Sequence, residues 1–206
     1  MDKVNSKVQL YIKLSLFLLV LFLLVTVFHT EGDIEFEDFV YQLPKAIAIY
    51  AVSAYVFHRW LWKLDIFKGW LVTIPYLQGT WKGVLQSNWK NPETGEGVGE
   101  IPIYLVIKQS FKKIECSIFT KESSSYSLSA DIDEIQGNTQ LSYTYTNTPK
   151  SSFRERSEIH NGAALLKIIK GEQMKLSGEY WTDRQTIGEI HLSFLGADLV
   201  QEFVED

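Results

Sequence analysis

Two apolar runs near the amino terminus, separated by a stretch that carries acids but no lysine or arginine, constrain this chain more than any other feature. The first run, Leu14 to Phe28, is extended upstream by Lys13, Tyr11 and Leu10 to nearly the ~20 residues that a bilayer requires. The second, Ala46 to Phe57, reaches that length only by including Phe39 to Leu43 before it and Trp60 to Leu64 after it, with Lys45 and Arg59 snorkelling. The expectation is a transmembrane hairpin over residues 1–70, with spans at about residues 10–28 and 43–62 and an interfacial linker to residue 76. On length alone, a re-entrant or interfacial helix is the alternative for the second run.

Lys3, Lys7 and Lys13 precede the first run as in a signal peptide, but its exit, Thr26-Val27-Phe28-His29-Thr30, lacks the small-residue cleavage pattern and favours an uncleaved anchor. Basic residues flank the pair, with those three lysines before it and Arg59, Lys63 and Lys68 after it. Between the runs, residues 29–38 carry Glu31, Asp33, Glu35, Glu37 and Asp38. The positive-inside rule then puts both termini in the cytoplasm, with the acidic loop outside and Trp60, Trp62 and Trp70 at the inner interface of a multi-pass inner-membrane protein. Ala46, Ala48, Ala51, Ser53 and Ala54 give the second run a small-residue character that permits close helix packing.

Charge cancels over residues 1–70, so the formal net charge of -5 resides on residues 71–206. An acidic body lacks the broad basic face that sweeping DNA or RNA binding needs, so an anionic ligand must be small and locally held. Cys116 is the only cysteine, which rules out an intrachain disulfide and agrees with a cytoplasmic location. Residues 77–206 suffice for one domain with its own core.

Turn signals and alternation divide that body into eight candidate strands: 79–86, 100–109, 112–121, 125–136, 139–146, 158–169, 173–182 and 186–196. Ile101, Ile103, Leu105 and Ile107 share one face, as do Leu141, Tyr143 and Tyr145, and Ile190, Leu192 and Phe194. Without a helix-length gap between them, the strands point to an all-β domain, an eight-stranded antiparallel up-and-down β-barrel whose closure removes exposed edges. A two-sheet sandwich is the alternative. The serine run 123–125 reads as a turn.

In an up-and-down barrel the connections fall alternately at two ends. One end, taken as membrane-proximal, receives tight turns at Ser110-Phe111, Gln136-Gly137-Asn138 and Lys170-Gly171-Glu172. The other receives Gln86 to Gly99, Glu122 to Ser124, Asn147 to Ser157 and Asp183-Arg184-Gln185. Long loops on one rim mark a ligand entrance. Three of the four arginines, Arg154, Arg156 and Arg184, fall at that rim with Trp89, Lys90, Lys121, Lys150 and nearby Trp181. A guanidinium fork matches phosphate and an indole offers a stacking face, a pairing suited to a nucleotide. Tyr145 and Tyr180 join the candidates as tyrosines near the open end, with core packing as their ordinary role alongside Tyr143. For Arg154 and Arg156, solvated loop charges balanced by Glu155 and Glu158 are the plain alternative. For Arg184, it is a hairpin turn paired to Asp183.

No catalytic constellation or metal site emerges. His29, His58, His160 and His191 are scattered, and Gly95, Gly97 and Gly99 lie in a hairpin loop without the lysine and helix of a phosphate loop. No nucleophile elbow accompanies the serines, so the chain reads as a binder with neither catalytic residues nor a cofactor. Gly79-Thr80-Trp81 opens the first strand and is similar to the lipocalin-type barrels, in which such a tryptophan plugs the closed end. Trp81 is accordingly expected in the core.

The two N-terminal runs, the Gly-Thr-Trp opening, and Leu176 to Arg184 followed by Gly188 to Leu192 together resemble the two-transmembrane, β-strand-rich effectors of CBASS antiphage systems. The resemblance implies a cytoplasmic barrel that senses a cyclic dinucleotide made by a partner nucleotidyltransferase. It further implies homo-oligomerisation of the membrane segments on activation and disruption of the inner membrane lipid. The rival expectations are a membrane-tethered, lipocalin-like binder of an apolar ligand, and a structural or interaction module whose interior is filled by side chains.

Overall fold

The structure, a computed structural model, describes residues 10–11, 14–15, 17–19, 23, 36–69, 71–90, 94–135 and 137–204. The chain divides into two compact units, Met1–Thr73 and Ile74–Asp206.

In the first unit, the described residues between 10 and 23 are helical, and helix α1 (Phe36–Arg59) follows. The Tyr11 and His58 rings meet edge-on with centroids 6.2 Å apart. Helix α1 starts earlier than the expected second span, because Glu37 and Asp38 favour the first turn of a helix, where its positive dipole end lies. It ends at Arg59, and two single 3-10 turns, Leu61–Lys63 and Asp65–Phe67, replace the expected continuation to residue 62. Among the described residues, no helix is long and apolar enough to cross a membrane. Lys45 and Arg59 bracket an apolar stretch shorter than the ~20 residues that spanning takes. Most of the first run, the acidic stretch up to Glu35, and Trp70 lie outside the described residues. Trp62, expected at a lipid interface, is only 1% exposed, whereas Trp60 is open.

The second unit is a closed antiparallel barrel in which each strand pairs with the next and the last with the first. Its strands are β1 (Gly79–Ser87), β2 (Ile101–Gln109), β3 (Ile114–Phe119), β4 (Ser123–Ile135), β5 (Asn138–Pro149), β6 (His160–Ile169), β7 (Lys175–Thr182) and β8 (Ile187–Gly196). The β1–β8 ladder, from Thr80 opposite Gly196 to Ser87 opposite Gly188, closes the sheet and excludes the sandwich. Two sequence readings are corrected. The serine run opens β4 instead of forming a turn, because Ser125 and Asn147 face each other and hydrogen-bond at 2.8 Å. The Thr120 hydroxyl takes over the turn, accepting from the Glu122 and Ser123 amides at 3.1 and 2.8 Å. Strand β5 also continues to Pro149, which shortens the loop expected from Asn147.

One end of the barrel is plugged. The Leu77 amide donates to Gln109 Oε1 at 2.6 Å, Gln109 Nε2 donates to the Pro75 carbonyl at 2.9 Å, and Trp81 Nε1 donates to the Leu77 carbonyl at 3.0 Å. Trp81 is 1% exposed and meets Phe194 edge-on, so it occupies the core position expected of it. The segment after β8 folds back over the outer wall. The Thr80 hydroxyl donates to the Asp198 carbonyl at 2.5 Å, and the Tyr104 hydroxyl donates to that of Val204 at 3.3 Å.

Candidate functional site: the polar mouth of the barrel

The barrel interior changes chemistry halfway along its length. Direct cross-strand neighbours Leu85, Ile190, Gly178, Leu166, Leu141 and Ile132 form a belt that is aliphatic apart from one glycine. One step toward the open rim, the belt reads Ser87, Gly188, Tyr180, Ala164, Tyr143 and Ala130. Beyond it stand Tyr145, flanked by Ser127 and Gly162, and the Ser125–Asn147 pair. Small residues alternate with tyrosines here, the pattern by which a narrow barrel makes room for rings. A β-carbon at Gly188 would stand 2.6 Å from the Tyr180 ring, so the glycine is required for that ring to lie where it does.

These tyrosines are buried, and burial sets their chemistry. Desolvation lifts the Tyr143 phenol well above the ordinary range, with proximity to Cys116 and Tyr145 adding to it. Tyr145 is raised by burial and then by Tyr180 and Asp183, whereas burial raises Tyr180 against an opposing hydrogen bond with Ser87. All three therefore remain protonated at neutral pH and offer O–H donors inside the wall. The Tyr143 hydroxyl is buried and has no hydrogen-bond partner among the described residues. Its ring lies 5.9 Å from that of Tyr145.

The cations sit outside this lining, on the loops. Arg156 donates to the Glu122 carboxylate at 2.5 Å and lies 4.8 Å over the Phe153 ring. Arg184 donates to Ser157 Oγ at 3.2 Å rather than folding onto Asp183, whose carboxylate instead accepts from the Asn161 amide at 3.0 Å. Arg154 Nε donates to the Pro149 carbonyl at 3.4 Å. Three connections, β3–β4, β5–β6 and β7–β8, are thus stitched into one rim. On the β1–β2 loop, Lys90 bridges Gly97, and the Trp89 amide donates to Ser87 Oγ at 3.2 Å, the same side chain that bonds Tyr180. Residues 91–93 of that loop lie outside the described residues.

The sequence candidates therefore separate into two groups. Tyr145 and Tyr180 are buried on β5 and β7 inside the mouth, and Arg154, Arg156, Arg184, Trp89 and Lys90 lie on the rim connections. Trp181 is 48% exposed on the outer wall, because it follows inward-facing Tyr180 and successive strand residues face opposite sides. Sequence reasoning missed Ser87, Ser125 and Asn147 as lining residues. Their signal was the polar continuation of the inward face of β5, from Leu141 through Tyr143 and Tyr145 to Asn147.

Residues 72–193, from the end of the first unit through most of β8, match the family described as Cap15, cyclic dinucleotide receptor domain. CD-NTase-associated protein 15 of Staphylococcus schleiferi is 28% identical over 201 residues, which cover 93% of this chain and 99% of that protein. CD-NTase-associated protein 15 of Escherichia albertii is 26% identical over 157 residues, covering 71% of this chain and 77% of the relative.

Proposed function

The chain belongs to the family of Cap15 cyclic dinucleotide receptor domains, and from that premise we propose that it is a CBASS antiphage effector whose barrel binds a cyclic dinucleotide. The observation that carries this reading is the division of the mouth into a neutral tyrosine lining and an arginine-bearing rim. A cyclic dinucleotide presents two aromatic bases and two phosphates, and the mouth offers a surface for each. In this reading the chain acts as a receptor without catalysis, responding to a messenger supplied by a partner nucleotidyltransferase.

The first unit serves as the anchor in the inner membrane, with both termini cytoplasmic. Phe17, Leu19, Ile47, Ile49, Val52 and Tyr55 are exposed apolar side chains on its helical segments, the surface that lipid or neighbouring helices would cover. Ligand at the rim favours the assembled state by differential affinity, and association of the anchors then disrupts the bilayer.

Titration calorimetry of the purified full chain against cyclic dinucleotides and fatty acids tests the receptor reading. One cyclic dinucleotide is expected to bind more tightly than ~100 μM, roughly -5.5 kcal/mol. Binding of fatty acids alone would return the apolar-ligand reading, and no binding would leave a structural module. A reporter fused after Asp206 is expected to score as cytoplasmic, and a periplasmic score would remove nucleotide sensing.

A further inference from the structure

We propose that the ligand enters base first: one nucleobase descends into the tyrosine belt, where the Tyr143 hydroxyl is its deepest hydrogen-bonding contact, while both phosphates stay at the rim. This pose rests on the cyclic dinucleotide reading and adds to it a direction of entry and a base-reading residue.

Three observations carry it. The first is where charge lies. The belt from Ser87 to Ala130 contains no charged side chain, whereas Arg154, Arg156 and Arg184 belong to the β5–β6 and β7–β8 connections. A phosphate drawn into the belt would lose its hydration without gaining a counter-charge, whereas an uncharged base incurs no such penalty. The second is depth. The aliphatic belt containing Leu166 and Leu141 fills the level below, so insertion stops at the layer of Tyr143. Both direct neighbours of Tyr143 in that layer are alanines, Ala130 and Ala164, so little side-chain bulk stands beside its ring on either strand.

The third is the hydroxyl itself. Tyr143 is 4% exposed, and its oxygen has no partner among the described residues, although a buried polar group without a hydrogen bond costs stability. A nucleobase edge carries acceptors for the phenolic proton, which burial keeps in place across the physiological range. Tyr145, 5.9 Å away and one step nearer the rim, supplies an aromatic ring beside the inserted base.

The test uses the full chain, its Tyr143→Phe variant, the tightest cyclic dinucleotide of a panel, and an analogue of it that carries 2-aminopurine. Tyr143→Phe is expected to melt no lower than the parent, since no partner is orphaned, and to bind the cyclic dinucleotide roughly 5- to 30-fold more weakly. The 2-aminopurine of the bound analogue is expected to be shielded from iodide relative to free analogue. Unchanged affinity in the variant, or a bound base quenched as readily as the free one, would overturn the pose while leaving the receptor reading in place. If the variant does not fold, iodide quenching on the parent chain decides. A parent chain that binds no cyclic dinucleotide overturns the receptor reading, and the pose with it.

Discussion

Tyr145 lies across Gly162, so close that a β-carbon at residue 162 would stand 2.5 Å from both the Cζ and the hydroxyl oxygen of that tyrosine. The Trp181 carbonyl stands 2.7 Å from the same point, and being backbone it cannot swing away. Gly162→Ala is therefore expected to lower stability by ~1–3 kcal/mol through overpacking and to weaken ligand binding by displacing the Tyr145 ring. Urea titration and calorimetry on the same preparation measure both effects. If neither moved, the ring would be free to shift and the mouth would not depend on its placement.

The rim arginines are held by partners that a ligand must outbid. Arg156 pairs with Glu122 across two connections, and both side chains are exposed, so the pair contributes no more than ~1 kcal/mol to stability. Glu122→Gln is expected to leave the melting temperature nearly unchanged while tightening binding of a doubly anionic ligand. Arg156→Ala is expected to weaken binding and to flatten its dependence on salt. Calorimetry at two ionic strengths checks both variants, and identical salt slopes would remove Arg156 from the phosphate contacts.

The barrel was legible because period-two burial is written directly in segments such as Leu141 to Asn147, where a side chain's face follows from its parity. The same rule already implied that Tyr180 and Trp181 cannot both line the interior. The serine run was misread because serine suits turns in general, and nothing local announces that Ser125 will meet Asn147 across the sheet. The partner of Arg156 was illegible for a similar reason. Glu122 lies 34 residues away, and only barrel closure brings the two loops together, whereas Glu155 and Glu158 were nearer in sequence. On α1, Glu37 and Asp38, read as the end of the acidic loop, fall in the first turn of a helix.

One buried hydroxyl holds the start of the C-terminal segment. Thr80 is 1% exposed; its Oγ1 donates to the Asp198 carbonyl at 2.5 Å and accepts from the Val200 amide at 3.3 Å. Thr80→Val keeps the shape and leaves both backbone groups without that partner, at an expected cost of about 1–3 kcal/mol. Hydrogen exchange should localise the loss, with residues 198–204 gaining exchange while the β5–β6 ladder keeps its protection. Uniform loss across the barrel would show instead that the segment is integral to global stability.

Alkaline pH should weaken the folded barrel before neutral or mildly acidic pH does. Burial lifts the Cys116 thiol above its ordinary 9.0, and lifts the phenols of Tyr143, Tyr145 and Tyr180 above 10.0. Below about pH 8 both folded and unfolded chains keep these protons, so the contribution is constant. Above it the unfolded chain releases protons that the folded chain retains, so the unfolded state binds fewer and stability falls as pH rises. The urea midpoint is expected to be flat from about pH 7 to 8 and then to decline, more steeply above about pH 9, with Tyr145→Phe removing part of the slope. The thiol should meanwhile resist alkylation at pH ~8 in the folded protein and react on unfolding. A midpoint that stays level to about pH 11 would mean that these phenols are solvated in the folded barrel, and the dry tyrosine lining would not exist.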